Sequence, residues 1–244
     1  QALIQRFESS LGPPMAKATA HRRLSALRSL LKYLKRLGQG PPGELPSASG
    51  FRKPKVLPKA LSAEQLESLL AVPNLKSWKG WRDRTLLELI YGAGLRVSEA
   101  VNLHLPQVDL EAATLRIVGK RQKTRILPLP DTTLDWLRRY LEDVRPRLVR
   151  EGPTHVFVDR SGGPLTRQAA YQLLARIARS AGLPTHVSPH TLRHTYAVHL
   201  LKGGADLRAV QELLGHESIA TTQIYTQLDL EEVKRKYRKA HPRS

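Results

Sequence analysis

The chain has 244 residues, of which 41% are hydrophobic, and this length supports a sizeable core in one or two domains. No stretch approaches the roughly 18 uncharged apolar residues that span a bilayer, and the first residues lack the pattern of a secretory signal. We therefore expect a cytoplasmic protein without a membrane partner. The absence of cysteine excludes disulfides and thiolate metal sites.

The charge balance is strongly positive. Forty Lys and Arg residues against 21 Asp and Glu leave a formal net charge of +19. A polyanion partner would relieve the resulting self-repulsion, so nucleic acid is the first candidate, although a ribosome-associated factor would show the same balance. Residues 1–60 hold 12 basic and 2 acidic residues, a net of +10, so we expect this segment to face DNA.

The first predicted element is a helix within residues 1–40. Leucines recur at helical spacing from Leu24 to Leu37, and basic side chains lie mostly elsewhere around the helix. These basic residues are the candidate DNA contacts, although they could equally form a solvated face: Lys17, Arg22, Arg23, Arg28, Lys32, Lys35 and Arg36.

A linker and a larger second domain follow. Nine Gly or Pro residues between Gly38 and Pro58 interrupt helices and strands alike, so we place a linker at 41–59 and a domain at 60–244. The patterns then predict a helix after the N-cap Ser62, a helix at 82–91, and two strands at 115–118 and 125–129. Further helices are expected at 131–142, 166–181, 190–202, 206–214 and 230–240, with a short strand near 156–158. The predicted fold class is mainly α with a small antiparallel β-sheet (α+β).

The most informative segment is 186–226, which holds five of the nine histidines. Ser188 can cap a helix with Pro189 in its first turn, which places His190 and Arg193 three residues apart on one face. Unpaired backbone N–H groups at such a helix start favour a phosphate. Upstream, Arg96 follows a glycine turn, from which a long guanidinium can reach a pocket, and Lys120 lies in the turn between the two strands.

Five separated motifs, in this order, resemble the tyrosine recombinase and phage integrase family, and within it most closely the Xer site-specific recombinases. They are GAGLRVSE at 92–99, GK at 119–120, HTLRH at 190–194, LGH at 214–216 and IYT at 224–226. The resemblance covers roughly residues 15–244. It implies a tyrosine-recombinase catalytic domain preceded by a helical core-binding domain. We expect that first domain to be partial, because only one strong helical pattern precedes the linker. The resemblance also implies the following catalytic residues: Arg96, Lys120, His190, Arg193, His216 and the nucleophile Tyr225.

The chemistry of phosphodiester cleavage is consistent with that set. Two guanidinium groups can bind the non-bridging oxygens that gain charge in the transition state, in a bidentate way that lysine cannot match. The tyrosine hydroxyl attacks, a histidine can help to move its proton, and Lys120 is the candidate acid for the departing 5′ oxygen, with Lys123 as a weaker alternative. A covalent 3′-phosphotyrosine link results, and it needs no metal, cofactor or ATP.

Several alternatives compete with this interpretation. His190 and His194 have the spacing of a zinc pair, but an arginine lies between them and the glutamate base of a metallo-hydrolase is absent. A Mg²⁺ nuclease would need clustered carboxylates, and GK at 119–120 lacks the glycine of a phosphate loop. A type IB topoisomerase would share the tyrosine chemistry, and a catalytically inactive DNA-binding protein is the alternative outside this class. His194 is ambiguous, and we expect His199 to be an ordinary helix residue.

The resemblance further implies partners. We expect a double-stranded recombination site and a tetramer of identical or different subunits, joined through an amphipathic helix at about 229–240 that docks on a neighbouring protomer. A role in chromosome segregation, association with the nucleoid, and a DNA translocase or accessory regulator as a further partner would fit this picture.

Overall fold

A computed structural model describes residues 6–7, 9–11, 15–40, 60–119, 124–149, 154–183, 187–215 and 240–243. The chain divides into two compact units, Gln1–Leu57 and Pro58–Ser244. In these described ranges, no helix combines the length and apolar character needed to cross a membrane.

The first unit contains the helix α1 (Lys17–Arg36). Its buried side chains Ala20 and Leu24 pack with Leu11, whereas Leu30 and Leu37 are about half exposed, so only part of the leucine pattern forms a core in this unit. Most of the predicted DNA-contacting cations are exposed, namely Arg22, Arg23, Lys32, Lys35 and Arg36, while Arg28 is half-buried. The side chain of Lys17 lies outside the described part of the structure.

The second unit is mostly helical around one apolar core, which confirms the predicted fold class. Its described α-helices are α2 (Ala63–Ala71), α3 (Trp78–Gly92), α4 (Val97–Val101), α5 (Asp131–Arg139), α6 (Arg167–Ser180), α7 (Pro189–Lys202) and α8 (Leu207–Leu214). Helix α3 is buried along most of its length and packs against α5 and α7. Its buried charged side chains are paired, for example Arg82 with Asp83 at 2.6 Å. It starts at Trp78 rather than at the predicted residue 82, since Ser77 caps it by accepting from the Gly80 N–H at 3.1 Å.

A three-stranded antiparallel sheet lies beside these helices in the order β1 (Val108–Asp109), β2 (Thr114–Val118) and β3 (Thr124–Pro128). Leu115 pairs with Leu127, and the side chains of β2 alternate between core and solvent, as a half-buried strand requires. The predicted hairpin is therefore confirmed, although its turn at 120–123 lies outside the described residues.

Two further predicted elements differ from the structure. The helix predicted at 131–142 is regular only to Arg139 and continues as a π-helical turn at Tyr140–Val144. Residues 156–158 form no strand: one isolated bridge precedes them, joining His104 to His155, and a second joins their last residue, Val158, to Pro164. Because Pro164 has no N–H to donate, it cannot extend the second bridge into a ladder.

The segment 240–243 packs against helices α3 and α7 within the second unit. His241 is 4% exposed, and its ring lies 5.3 Å from that of Tyr91 and 5.7 Å from that of Tyr196. Arg243 pairs with the fully buried Glu88 at 2.5 Å. Burial lowers the pKa of His241 to about 3, and the charges of His199 and Arg243 act in the same direction. The neutral imidazole is therefore the form that packs here.

Candidate active site

The turn between α3 and α4 positions Arg96. Gly94 has a φ of +60°, and a Cβ atom at this residue would lie 2.5 Å from Cε1 of Tyr196. Both constraints require glycine, since L-residues avoid this backbone region and the buried ring leaves no room. The backbone then enters α4, with Arg96 as its N-cap residue and a side chain 40% exposed.

Arg193 reaches the same region from α7. Ser188 caps this helix by accepting from the Thr191 N–H at 3.3 Å, and Pro189 occupies the first turn, as the sequence predicted. Arg193 is only 9% exposed, and its two terminal nitrogens donate to the carbonyls of Gly94 and Leu214. It therefore joins the glycine turn to the end of α8.

The C-terminal end of α8 is where three arginines meet. Nε of Arg125 donates to the carbonyl of Leu213 at 3.2 Å, Arg193 donates to that of Leu214, and Nη2 of Arg96 donates to that of Gly215 at 3.2 Å. The last carbonyls of a helix lack partners within the helix and carry partial negative charge, so cationic donors satisfy them well. These bonds fix the backbone directly before His216.

Glu99 lies at the centre of the arginine cluster. Its Oε1 accepts from Nη1 of Arg96 at 2.9 Å, and its Oε2 accepts from the Arg96 backbone N–H at 2.8 Å and from Nη2 of Arg125 at 2.9 Å. Nη1 of Arg193 lies 3.9 Å from Oε2. One carboxylate thus holds three guanidinium groups that would otherwise repel one another.

The electrostatics of the cluster follow from burial and charge. Burial tends to raise the pKa of Glu99, but the hydrogen bond and charge of Arg125 and the hydrogen bonds of Arg96 outweigh it and keep this pKa below its ordinary value. Burial lowers the pKa of Arg193 to about 10, helped by the charge of Arg96 and opposed by Glu99. Glu99 and Arg193 therefore remain ionised near pH 7, and three guanidinium groups around one carboxylate give the site a net positive formal charge.

The other predicted site residues are placed as follows. His190 is exposed in the first turn of α7, three residues before Arg193. Lys120, its alternative Lys123, His216 and Tyr225 lie outside the described residues. The structure thus brings Arg96 and Arg193 together. Two of its described ranges end at residues 119 and 215, directly before Lys120 and His216.

His199, by contrast, has a structural role. Its Nδ1 is 2.9 Å from the hydroxyl of Tyr91, and its Nε2 is 3.0 Å from the carbonyl of Leu61. Since a carbonyl can only accept, Nε2 carries the proton and Nδ1 accepts from the tyrosine. His194 is half-buried on the same helix.

Glu99 and Arg125 were not among the predicted site residues. Glu99 could have been found, because an acid three residues after a helix N-cap can accept from the N-cap backbone N–H. Arg125 gave no such local signal, since its partners Glu99 and Leu213 are distant in sequence. A cluster of guanidinium groups at a helix end is suited to binding the oxygens of a phosphate. Within the described ranges, no three His, Asp or Glu side chains are grouped so as to hold a metal ion.

Known proteins resemble the chain over most of its length. The phage integrase family model matches residues 59–232. Tyrosine recombinase XerD of Lacticaseibacillus casei is 42% identical over 242 residues, which cover 99% of this chain and 83% of that protein. XerD of Staphylococcus saprophyticus is 43% identical over 189 residues, which cover 77% of this chain and 64% of that protein. The chain therefore spans slightly less than two thirds of the staphylococcal relative.

A solved structure shows the same similarity in three dimensions. The XerH site-specific recombinase bound to a palindromic difH substrate, in a post-cleavage complex, is 28% identical with a TM-score of 0.72. The match covers 96% of this chain and 70% of that one. The chain therefore belongs to the phage integrase family, and like these relatives it is a tyrosine-type site-specific recombinase.

Proposed function

We propose that this chain cleaves and rejoins duplex DNA at a recombination site through a covalent 3′-phosphotyrosine intermediate, with Tyr225 as the nucleophile and without metal or ATP. The observation that carries the proposal is the convergence of Arg96 and Arg193 on consecutive carbonyls of the LGH motif, Gly215 and Leu214. Two guanidinium groups from separate helices thus meet directly before the segment that contains His216 and Tyr225.

In this proposal the arginine pair binds the scissile phosphate. The non-bridging oxygens gain negative charge as the tyrosine attacks in line, and pre-positioned guanidinium groups stabilise that charge. Arg96 is the more accessible of the two, whereas Arg193 is fixed by two backbone carbonyls. The fixed geometry supports a site that is organised before DNA binds, which lowers the cost of reorganisation during the reaction.

Proton transfers complete the proposed mechanism. A tyrosine hydroxyl is ionised to about one part in a thousand at pH 7, so the cationic site favours its deprotonation, assisted by His190 or His216. Lys120 protonates the departing 5′ oxygen, which is otherwise a poor leaving group. The phosphotyrosine link retains the energy of the phosphodiester, so a different 5′ hydroxyl can attack it and reseal the strand.

We further propose how the protein engages DNA and its neighbours. The exposed cations of α1 contact phosphates, and the named relative XerH is itself bound to a difH substrate. Four protomers, identical or different, assemble through the helix predicted at 229–240. Residues 229–239 of that helix lie outside the described residues, whereas His241 and Arg243 pack on α3 and α7 of the same chain.

The test uses a nicked duplex that traps the covalent intermediate, drawn from a library of candidate sites and incubated with EDTA. The wild-type chain should become attached to the 3′ phosphate, and Tyr225→Phe should bind the same DNA without forming the adduct. An undiminished adduct in Tyr225→Phe would remove this tyrosine from the mechanism. Loss of the adduct on adding EDTA would contradict metal independence.

The role of Lys120 is tested with sulfur at the bridging 5′ position. A thiolate leaves without a proton, so Lys120→Ala should cleave this substrate at nearly the wild-type rate while failing on the oxygen substrate. Equal defects on both substrates would assign Lys120 a role other than the acid, and the same experiment on Lys123→Ala serves as the matched comparison.

A further inference from the structure

We infer that Arg125 is a positioning residue for strand cleavage, and this inference rests on the function proposed above. Arg125 is the second residue of β3, the strand that follows the segment 120–123 with Lys120. Its side chain is only 15% exposed, which is unusual for a cation on a short sheet. Its contacts account for the burial.

The first contact is with Glu99. Nη2 of Arg125 donates to Oε2 of Glu99 at 2.9 Å, the same oxygen that accepts from the Arg96 backbone N–H. The other oxygen of Glu99 holds the Arg96 guanidinium. Because one small carboxylate serves both arginines, its rotation would move the head of Arg96, and Arg125 is the contact that opposes this rotation from the sheet side.

The second contact is with the end of α8. Nε of Arg125 donates to the carbonyl of Leu213 at 3.2 Å, three residues before His216. Gly215 adopts a left-handed conformation with a φ of +65°, and a Cβ atom there would lie 3.2 Å from Nη1 of Arg125. The guanidinium therefore fits against the turn from which the His216–Tyr225 segment continues.

Arg125 thus connects three parts of the chain that carry predicted catalytic residues. Strand β3 follows the segment that contains Lys120, Arg96 is the N-cap residue of α4, and α8 ends shortly before His216. A planar guanidinium can donate in two fixed directions at once, to a carboxylate and to a carbonyl, whereas a lysine ammonium offers one mobile point charge. The inference is therefore specific to arginine.

The expected signature is slower chemistry with little change in DNA binding. Misplacing a reacting group by about 1 Å can slow a reaction by roughly a hundredfold, so Arg125→Gln should form the nicked-duplex adduct about 10- to 100-fold more slowly at saturating DNA. The dissociation constant for DNA should change by less than about threefold, since one phosphate contact at most is altered. The matched control is Arg116→Gln, an exposed arginine on the neighbouring strand, whose rate should stay within about twofold of wild type.

A double variant separates positioning from a general structural effect. If Arg125 acts through Glu99, the combined defect of Arg125→Gln with Glu99→Gln will fall short of the product of the two single defects. Defects that multiply would overturn this route. Thermal unfolding is followed for each variant, and if Arg125→Gln fails to fold, Arg125→Lys replaces it, with a cleavage rate expected at least about fivefold below wild type.

The outcomes for the two proposals are distinguishable. A wild-type chain that forms no adduct on any nicked duplex would contradict the proposed function. A wild-type chain that forms the adduct, alongside a folded Arg125→Lys or Arg125→Gln that reacts at the same rate, would overturn only the role of Arg125.

Discussion

Replacing Gly94 with alanine tests how the glycine turn positions the arginine pair. The added Cβ atom would lie 2.5 and 2.6 Å from two ring carbons of Tyr196, a side chain that is only 1% exposed and cannot move into solvent. The backbone φ of +60° is also unfavourable for alanine. The carbonyl of Gly94 accepts from Arg193, so any shift of this turn moves the guanidinium as well.

The magnitude follows from these two terms. The left-handed backbone costs an L-residue about 1–2 kcal/mol. Overpacking of a buried site costs a further 1–3 kcal/mol or so, which gives about 2–5 kcal/mol of lost unfolding free energy for Gly94→Ala. Gly182 provides the control, because its φ is +67° and nothing lies within 4 Å of its Cβ position. Gly182→Ala should therefore lose only about 1–2 kcal/mol.

The assay combines urea unfolding with single-turnover formation of the nicked-duplex adduct. Under conditions where both variants are folded, Gly94→Ala should react at least about tenfold more slowly than Gly182→Ala, because the displaced turn carries Arg96 and binds Arg193. Equal losses of unfolding free energy in the two variants would refute the packing argument. Equal cleavage rates would refute the link between this turn and the site.

Three other predictions concern the ends of the chain. Gly203→Ala would place a Cβ atom 2.1 Å from the carbonyl oxygen of Ala240, and because the φ of −76° is ordinary, this clash is the main effect expected. Amide hydrogen exchange in 240–243 should therefore accelerate. Gly163→Ala is the control, because no atom lies closer than 3.6 Å to its Cβ position, and it should leave this exchange unchanged. Because burial lowers the pKa of His241, this imidazole takes up a proton more readily when the segment 240–243 is released than when it is packed. The equilibrium constant for packing should therefore fall by up to about tenfold per pH unit below about pH 6.5. Amide exchange of 240–243 that stays constant with pH, after correction for its intrinsic pH dependence, would contradict this. DNA affinity should fall steeply with salt, and Lys32→Gln on α1 should reduce the slope of log affinity against log salt by about 1 if this lysine contacts a phosphate.

Local sequence patterns predicted most helices and strands because their determinants are local. Ser62 and Ser188 both accept backbone N–H bonds at the predicted helix starts, and the alternating residues of β2 face core and solvent in turn. The prediction of a strand was wrong where backbone pairing with another segment decides whether a strand forms. The apolar residues 156–158 read as a strand, but their neighbours offer only isolated bridges.

The candidate site divides in the same way. Motif resemblance identified Arg96 and Arg193, and the structure places their side chains within one cluster. The roles of Lys120, His190, His216 and Tyr225 remain predictions from the sequence. The sequence did not predict Arg125 as a site residue, because neither of its partners is near it in the chain. The alternation of residues in a strand does not predict that an arginine is buried.

By itself, the sequence determined the helical and sheet elements, the uneven basic charge and the motifs that mark a tyrosine recombinase, since each depends on residues close together in the chain. Only the tertiary structure decided that the end of α8 collects three arginines and that Glu99 balances them. Such a cluster depends on carbonyls and guanidinium groups from four separate elements, and their distances are set by the packing of the whole unit.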